Sequence, residues 1–241
     1  MFKLISYFIF FITFLSYVAF SQNSSDFVKK NLNARGGIEN LKKIKSIQIN
    51  GKIQTSGLEL SMVYYRKMPN KIRFQVDLNG KDGITVFTSD SGWIVDPSIN
   101  IIIPKKLTKD EYIQKKQLID YLLVFYDDLL MRSYETDYRI DYLGTENVNN
   151  KTGHKLLIVT KDGVKIQYFL DEKDYLDYHH KVNFPDLNVT FDINLNDFTT
   201  VEGINIPLSI ESRIQDQRMT RIIIDKIKIN EIIDDKLFVE P

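Results

Sequence analysis

Two adjacent histidines, His179 and His180, follow a run of acidic residues in the segment DGVKIQYFLDEKDYLDYHHKVNF, residues 162 to 184. Imidazole and carboxylate groups that lie close together can bind a metal ion or exchange protons. The chain has only three histidines, so such chemistry would be expected in this segment. Whether the groups meet depends on the element that carries them.

The alternation of residue types over 176–182 predicts a β-strand whose side chains point alternately to opposite faces. One face would carry Leu176, Tyr178, His180 and Val182, and the other Asp177, His179 and Lys181. Adjacent histidines on a regular strand cannot bind one metal ion unless a bulge intervenes. We therefore expect no metal site, with His179 outside in a charged row and His180 inside as a hydrogen-bonded core residue.

The rest of the sequence offers no familiar arrangement of catalytic groups. It contains no G-x-S-x-G, glycine-rich phosphate loop or H-E-x-x-H motif. It has no cysteine, which excludes a thiol nucleophile, cysteine-ligated zinc and disulfide bonds. The acidic pairs Asp127-Asp128 and Asp234-Asp235 are adjacent in sequence, which suits a solvated end better than a catalytic pair. We expect a protein that is not an enzyme and needs no cofactor.

Composition favours one globular domain without a nucleic-acid partner. Of the 241 residues, 43% are hydrophobic and 12% aromatic, which is enough for one substantial core. The 32 basic residues balance 32 acidic ones, so the chain has no electrostatic footprint for nucleic acid.

Residues 1–21 have the pattern of a signal peptide. Lys3 precedes a long apolar run, and the small residues Ala19 and Ser21 predict cleavage before Gln22. The alternative is an uncleaved membrane anchor, since the run approaches the roughly 20 apolar residues of a spanning helix. No cysteine is present to carry the lipid of a lipoprotein. We expect an exported, soluble domain over residues 22–241.

Strand patterns dominate the remainder of the chain. A short helix over 25–35 should stop at Gly36-Gly37, and a longer amphipathic helix near 109–131 opens with the capping box T-K-D-E at Thr108. Roughly a dozen strands without alternating helices indicate one antiparallel sheet, which curls because strands twist. The predicted fold class is mainly β with few helices: a curved antiparallel sheet forming a half-closed barrel, with helices covering its concave face.

Two consecutive segments, YRKMPNKIRFQV and TSDSGWIVDP, resemble strands of the LolA-like superfamily of periplasmic outer-membrane lipoprotein carriers. The matching positions are Pro69, Asn70, Phe74, Ser89, Asp90, Gly92, Trp93 and Pro97. The segments ARGGIENLKKIKSI, VEGINIP and DDKLFVEP, with a strand start at Asp162-Gly163, are similar to sorting-protein homologues of this superfamily. The resemblance covers essentially the whole mature chain.

This resemblance implies a half barrel of about eleven strands whose concave apolar surface takes up acyl chains. It implies a monomeric periplasmic carrier for lipoproteins or other lipids, with an inner-membrane lipoprotein-release transporter and an outer-membrane acceptor as partners. In such a carrier, His180 would be a polar group near an acyl head group. The alternatives are a lipid- or lipoprotein-sensing regulatory module on the same fold and an exported enzyme with an unrecognised site.

Apolar positions on the strands and helix near the matched turns are candidates for lining an acyl-binding trough. They are Met62, Tyr64, Ile72, Phe74, Val86, Trp93, Leu122, Leu123, Tyr126, Tyr168 and Leu170. Ordinary core packing explains each of them equally well.

One position departs from the superfamily pattern. Members of its best-known branch have an arginine directly before the Pro-Asn turn, thought to attach the helical lid, where this chain has Met68. Methionine lacks the donors of a guanidinium, so the role cannot be transferred to it. Arg66, two residues earlier on the same strand face, is the candidate lid latch.

Overall fold

The computed structural model describes residues 24–123, 125, 130–131, 138–214 and 217–241. The predicted signal peptide, the predicted trough residue Tyr126 and the Asp127-Asp128 pair lie outside the described residues.

Thirteen strands form one sheet in which neighbouring strands are antiparallel. In chain order they are β1 (Ser46–Thr55), β2 (Leu58–Lys67), β3 (Lys71–Asp77), β4 (Asp82–Phe87), β5 (Gly92–Asp96), β6 (Ile101–Lys106), β7 (Arg139–Val148), β8 (Lys151–Val159), β9 (Lys165–Asp171), β10 (Asp177–Phe184), β11 (Val189–Val201), β12 (Ile204–Ile214) and β13 (Gln217–Ile229).

The order across the sheet is β6-β5-β4-β3-β2-β1-β13-β12-β11-β10-β9-β8-β7. The chain therefore runs out to the β6 edge, crosses to the β7 edge and returns until β13 pairs with β1. Because β6 and β7 do not pair, the curved sheet stays open on one side. The predicted half-closed antiparallel sheet is confirmed.

Strand β6 was missed in the strand pattern, and it contributes to a count above the eleven that the resemblance implied. Its sequence, IIIPKK, contains Pro104, which cannot donate a hydrogen bond to a sheet ladder. Proline is tolerated at a sheet edge, and β6 is an edge strand.

The α-helices with defined bounds are α1 (Ser24–Ala34), α2 (Ile38–Leu41) and α3 (Lys109–Leu122). The face of the sheet that packs against them is called the inner face here, and the opposite one the outer face. Residues of all three helices join strand residues in one large apolar cluster on the inner face. The predicted position of the helices, covering one face of the sheet, is therefore confirmed.

Glycine is required where α1 ends. Gly36 has a φ of +126°, and a Cβ there would lie 2.3 Å from the carbonyl oxygen of Gly203 in the β11–β12 turn. The N–H of Gly37 donates to Leu32 at 2.8 Å, which closes the helix as the predicted stop requires. This corner places the residues after α1 directly against the sheet.

Helix α3 begins with the predicted capping box. The Glu111 N–H donates to the Thr108 hydroxyl, and the Glu111 carboxylate accepts from the Thr108 N–H at 2.9 Å. The helix ends at Leu122, earlier than predicted, because Leu123 leaves the helical conformation with a ψ of 72°.

A second apolar cluster lies on the outer face of β4 and β5. Val86 packs there with Ile233 and Phe238 of the C-terminal segment, while its neighbour Phe87 belongs to the inner cluster. The sheet is therefore buried on both faces at this point.

Candidate functional site

The two histidines lie on β10, and a bulge in this strand determines which side chains they meet. The pairing of β10 with β9 shifts register between Asp177 and His179, so Tyr178 is the extra residue. The bulge places Asp177 and His180 on the same side, where the His180 Nε2 lies 2.8 Å from Asp177 Oδ2. The prediction that Asp177 and Tyr178 alternate regularly with the histidines is wrong, because one inserted residue reverses the faces of a strand.

Asp177 is the centre of a buried ionic cluster. The Arg35 guanidinium donates to both of its oxygens at 2.7 and 2.6 Å, and the Asn31 side-chain amide donates at 3.2 Å. Burial alone would raise the pKa of the Asp177 carboxyl, but Arg35 and His180 lower it well below its ordinary value. The carboxylate therefore stays ionised in the core with its hydrogen bonds satisfied.

This cluster attaches the end of α1 to the sheet. Asp177 and His180 are 0% exposed, and the His180 ring lies 4.0 Å from that of Tyr168. The prediction that His180 is a hydrogen-bonded core residue is confirmed. A ligand has no access to the cluster without displacing α1, so its role is structural.

His179 lies on the opposite face from His180, as predicted, but it is not exposed in a charged row. It is 3% exposed, its Nδ1 lies 2.7 Å from Asn194 Oδ1, and its ring packs 5.2 Å from that of Phe169. Burial lowers the pKa of His179, and the hydrogen bond with Asn194 offsets only part of that effect. The prediction that His179 is exposed was wrong because Phe169 and the Lys155 side chain above it cover this part of the outer face.

A metal site would need several ligand side chains close together. Across 24–123, 125, 130–131, 138–214 and 217–241, no three His, Cys, Asp or Glu side chains are grouped so that they could bind an ion. Within the same ranges, no helix is long and apolar enough to span a membrane.

Most of the predicted trough residues lie together on the inner face. Met62, Tyr64, Ile72, Tyr168 and Leu170 are buried in the inner cluster, and Phe74, Leu122 and Leu123 pack against it half-buried. Their role in ligand binding stays a prediction, and Tyr126 is not described.

Val86 and Trp93 do not share that surface. Both belong to the outer cluster, where Trp93 packs beside Val86 under the C-terminal segment. Their alternation in β4 and β5 was visible in the sequence, but both faces of these strands are covered. They cannot line a trough on the inner face.

A cavity of about 330 Å³ opens between α2, the β2–β3 turn and α3. Its walls combine apolar residues, among them Ile72, with polar and charged ones, and they include the matched turn residues Pro69 and Asn70. Arg66, 7% exposed on the inner face of β2, lines the same cavity, as does Asp120 of α3. The candidate lid latch is thus next to α3, although its role as a latch stays a prediction. We call this space the Arg66 cavity.

The Arg66 cavity is the best candidate for a binding site. A cavity of about 460 Å³ at the ends of β8, β10 and β11 is lined mainly by polar side chains such as Asn149, Lys151 and Arg213. A third, of about 160 Å³, lies between α3 and the β10–β11 connection. Three apolar residues that line the Arg66 cavity, Leu41, Ile44 and Ile72, belong to the inner cluster.

The roles of Arg35 and Asn31 were not predicted from the sequence. The two residues meet Asp177 across separations of 142 and 146 residues, and one sequence contains no pattern that pairs residues so far apart. The acids at 171–174 hold the turn between β9 and β10: Asp171 accepts from the Lys173 N–H at 2.6 Å, and Asp174 from the Leu176 N–H at 2.9 Å.

The open sheet with helices on its inner face is an architecture that solved structures of other proteins share. No protein-family model and no curated protein sequence matches the chain. A LolA superfamily protein from Nitrosomonas europaea matches at a TM-score of 0.59 and 13% identity, over 91% of this chain and 99% of that one.

Two further solved structures match comparably. A DUF1329 family protein from Desulfovibrio piger has a TM-score of 0.61 and 13% identity, over 88% of this chain and 97% of that one. A domain assigned to the outer membrane lipoprotein-sorting proteins, from Vibrio parahaemolyticus, has a TM-score of 0.56 and 10% identity, over 88% and 94%. At such identities the likeness shows the fold alone, and that fold is LolA-like.

Proposed function

We propose that residues 22–241 form a periplasmic carrier that binds the acyl chains of lipoproteins or other lipids for transfer to the outer membrane. Residues 1–21 would direct its export and be cleaved before Gln22. The observation that supports this role is an apolar inner face under helices, with the Arg66 cavity at its rim, on a fold shared with a lipoprotein-sorting domain.

Helix α3 is the element that would move to admit an acyl chain. Of the 14 residues from Lys109 to Leu122 only Tyr121 is buried, so most of this helix lies at the edge of the core and not inside it. Acyl burial yields roughly 0.8 kcal/mol per CH₂, and a chain of about 16 carbons offers on the order of 10 kcal/mol before ordering costs. That gain is comparable to the stability of a whole domain, so it can offset the loss of α3 contacts.

The proposed carrier role implies two partners. The carrier would receive acylated cargo from an inner-membrane lipoprotein-release transporter and deliver it to an outer-membrane acceptor. It would act as a monomer without a cofactor and without catalysing a reaction.

Ligand binding by the purified mature domain tests this function. Lipid that co-purifies should be detectable by mass spectrometry, and a fluorescent fatty-acid analogue should bind and be displaced by unlabelled acyl ligands. Release of newly acylated lipoprotein from inner membranes should follow addition of the domain. If no acylated ligand binds to the folded domain, the carrier proposal is wrong; stable capture of a membrane signalling protein without lipid transfer would favour a regulatory module.

A further inference from the structure

The hairpin formed by β5 and β6 carries a cluster of exposed apolar side chains. Ile99, Ile102 and Ile103 are 62, 66 and 73% exposed, and among the large apolar side chains in the described ranges only Ile232 is more exposed. Single exposed apolar residues are common in soluble proteins, but a cluster so close together indicates a contact surface. Residues 97–104, with the sequence PSINIIIP, are called the isoleucine tip here.

The isoleucine tip lies at one edge of the sheet and is exposed on both of its faces. Strand β6 has β5 as its only neighbour in the sheet order, and Asp96 pairs with Ile101 at the start of the hairpin. Consecutive residues of a strand point to opposite faces, so Ile102 and Ile103 are exposed on different sides of β6. A partner with a flat, rigid surface would cover one of them and leave the other in water. A lipid surface can surround both.

The charges beside the isoleucine tip also suit a lipid surface. No residue from 97 to 104 is charged, and the exposed residues Lys105 and Lys106 follow directly. Two nearby acids already have partners: Asp96 accepts from a backbone N–H of the turn at 3.0 Å, and Glu111 of α3 accepts from Lys105 at 2.7 Å. Apolar residues with lysines beside them are typical of proteins that bind at the boundary between head groups and acyl chains.

We propose that the isoleucine tip is a membrane contact, at which Ile99, Ile102 and Ile103 enter the head-group region of a bilayer that contains anionic lipid. The contact is shallow, because the free edge of β6 has backbone groups whose hydrogen bonds hydrocarbon cannot satisfy. None of the three isoleucines belongs to the inner cluster. The contact therefore goes beyond the proposed carrier function and does not depend on it.

Flotation of residues 22–241 with lipid vesicles tests the contact. Residues 1–21 are omitted because their apolar run would bind lipid by itself. The domain should float with vesicles of phosphatidylcholine and phosphatidylglycerol in equal amounts, and more weakly with phosphatidylcholine alone. The double variant Ile102→Ser, Ile103→Ser should have a partition coefficient on the mixed vesicles that is lower by about ten-fold or more, because it removes apolar area that lipid would bury.

Two further double variants are matched to this one. Leu58→Ser with Ile232→Ser removes two exposed apolar residues outside the hairpin and should leave the partition coefficient unchanged. Lys105→Gln with Lys106→Gln should reduce the preference for phosphatidylglycerol and keep the weaker binding to phosphatidylcholine. The exchanged side chains are exposed, so all three variants should unfold at nearly the same denaturant concentration as the wild type.

The outcomes separate this contact from other roles of the hairpin. If the wild type does not float, or if Ile102→Ser, Ile103→Ser floats equally well, the isoleucine tip is not a membrane contact. Self-association of the wild type that this variant lacks, without flotation, would assign the tip to a contact between two copies of the chain.

The fluorescent fatty-acid analogue distinguishes the contact from the carrier function. It should bind equally to the wild type and to Ile102→Ser, Ile103→Ser, because the exchanged residues lie outside the inner cluster. If the analogue binds to neither protein, the carrier function is wrong, and the flotation result still decides the membrane contact.

Discussion

Helices α1 and α3 both cover the inner face of the sheet, but they are attached in different ways. The 11 residues of α1 include three buried ones, and Arg35 just after the helix forms the buried ion pair with Asp177. The 14 residues of α3 include one buried residue, Tyr121, and the hydrogen bond from Gln117 of this helix to Asp162 is exposed. We infer that α1 is a fixed part of the barrel and that α3 is its movable cover.

The difference shows how one sheet can be stable and still admit a ligand. When a fully buried ion pair separates, each charge is left in the core without its partner and without water. Such a pair therefore resists partial opening of the structure around it. Breaking half-buried apolar contacts and exposed polar ones costs less, because the groups that separate are already partly solvated. The chain therefore places its most costly contact at the helix that does not need to move.

Preventing α3 from moving should have the largest effect, which is loss of ligand uptake. The chain has no cysteine, so the pair Gln117→Cys and Asp162→Cys can be joined by a flexible, reducible thiol-specific linker. The linked protein should bind no fluorescent fatty-acid analogue, and reduction of the linker should restore binding.

The matched control joins α1 to the sheet instead. Lys30 donates to the Tyr175 hydroxyl at 3.2 Å, and Lys30→Cys with Tyr175→Cys accepts the same linker. Uptake should be unchanged in this protein. Equal loss of uptake with either linker would contradict the distinction between a fixed and a movable helix.

Breaking the α1 ion pair should cause the largest loss of stability. Arg35→Met leaves the Asp177 carboxylate buried without its cation, which costs about 3–5 kcal/mol of the free energy of unfolding. Denaturant unfolding measures this loss. The double variant Arg35→Met, Asp177→Leu should recover part of it, because no uncompensated charge remains. If the loss of stability in the double variant equals the sum of the losses in Arg35→Met and Asp177→Leu, the pair contributes by packing and not by charge.

Truncating one leucine on each helix gives a smaller and directly comparable effect. Leu32 of α1 is 3% exposed, and Leu32→Ala should cost about 2–5 kcal/mol. Leu118 of α3 packs half-buried against the same cluster, and Leu118→Ala should cost roughly half as much or less. Denaturant unfolding with equal costs at the two positions would show that α3 is as firmly packed as α1.

The features that distinguish α1 from α3 differ in how well a single sequence predicts them. The capping box of α3 and the opposite faces of His179 and His180 depend on neighbouring residues, and both are found as predicted. The Arg35–Asp177 pair joins residues 142 apart in the chain, and the bulge at Tyr178 interrupts the alternation from which the faces of the strand were predicted. Local patterns therefore predicted the movable helix and not the attachment of the fixed one.

The limits of local patterns also explain why two of the predicted trough residues lie on the wrong face of the sheet. Period-2 spacing separates the two faces of β4 and β5 but does not tell which face a helix covers and which the C-terminal segment covers. Val86 and Trp93 were therefore grouped with Ile72, although Ile233 and Phe238 of the C-terminal segment cover them from outside.

The smallest expected effect is a pH dependence of stability that arises from two histidines outside the α1 ion pair. Burial lowers the pKa values of His179 and of His154, whose ring packs 4.4 Å from that of Phe27 in α1. The unfolded chain then binds protons at a higher pH than the folded one. The free energy of unfolding should fall as the pH decreases below about 6.5.

The Asp177 pKa is also lowered, so its contribution is complete above the ordinary value of 3.8 and is lost only below that pH. Between pH 7 and 5 the decrease should therefore come from the histidines, while the attachment of α1 stays intact. Denaturant unfolding over this range should show a shallower slope in His179→Asn than in the wild type, because one of the two titrating groups is removed. An unchanged slope in that variant would assign the dependence to His154 or to other groups, and a steep loss in Arg35→Met alone would place the titration in the ion pair.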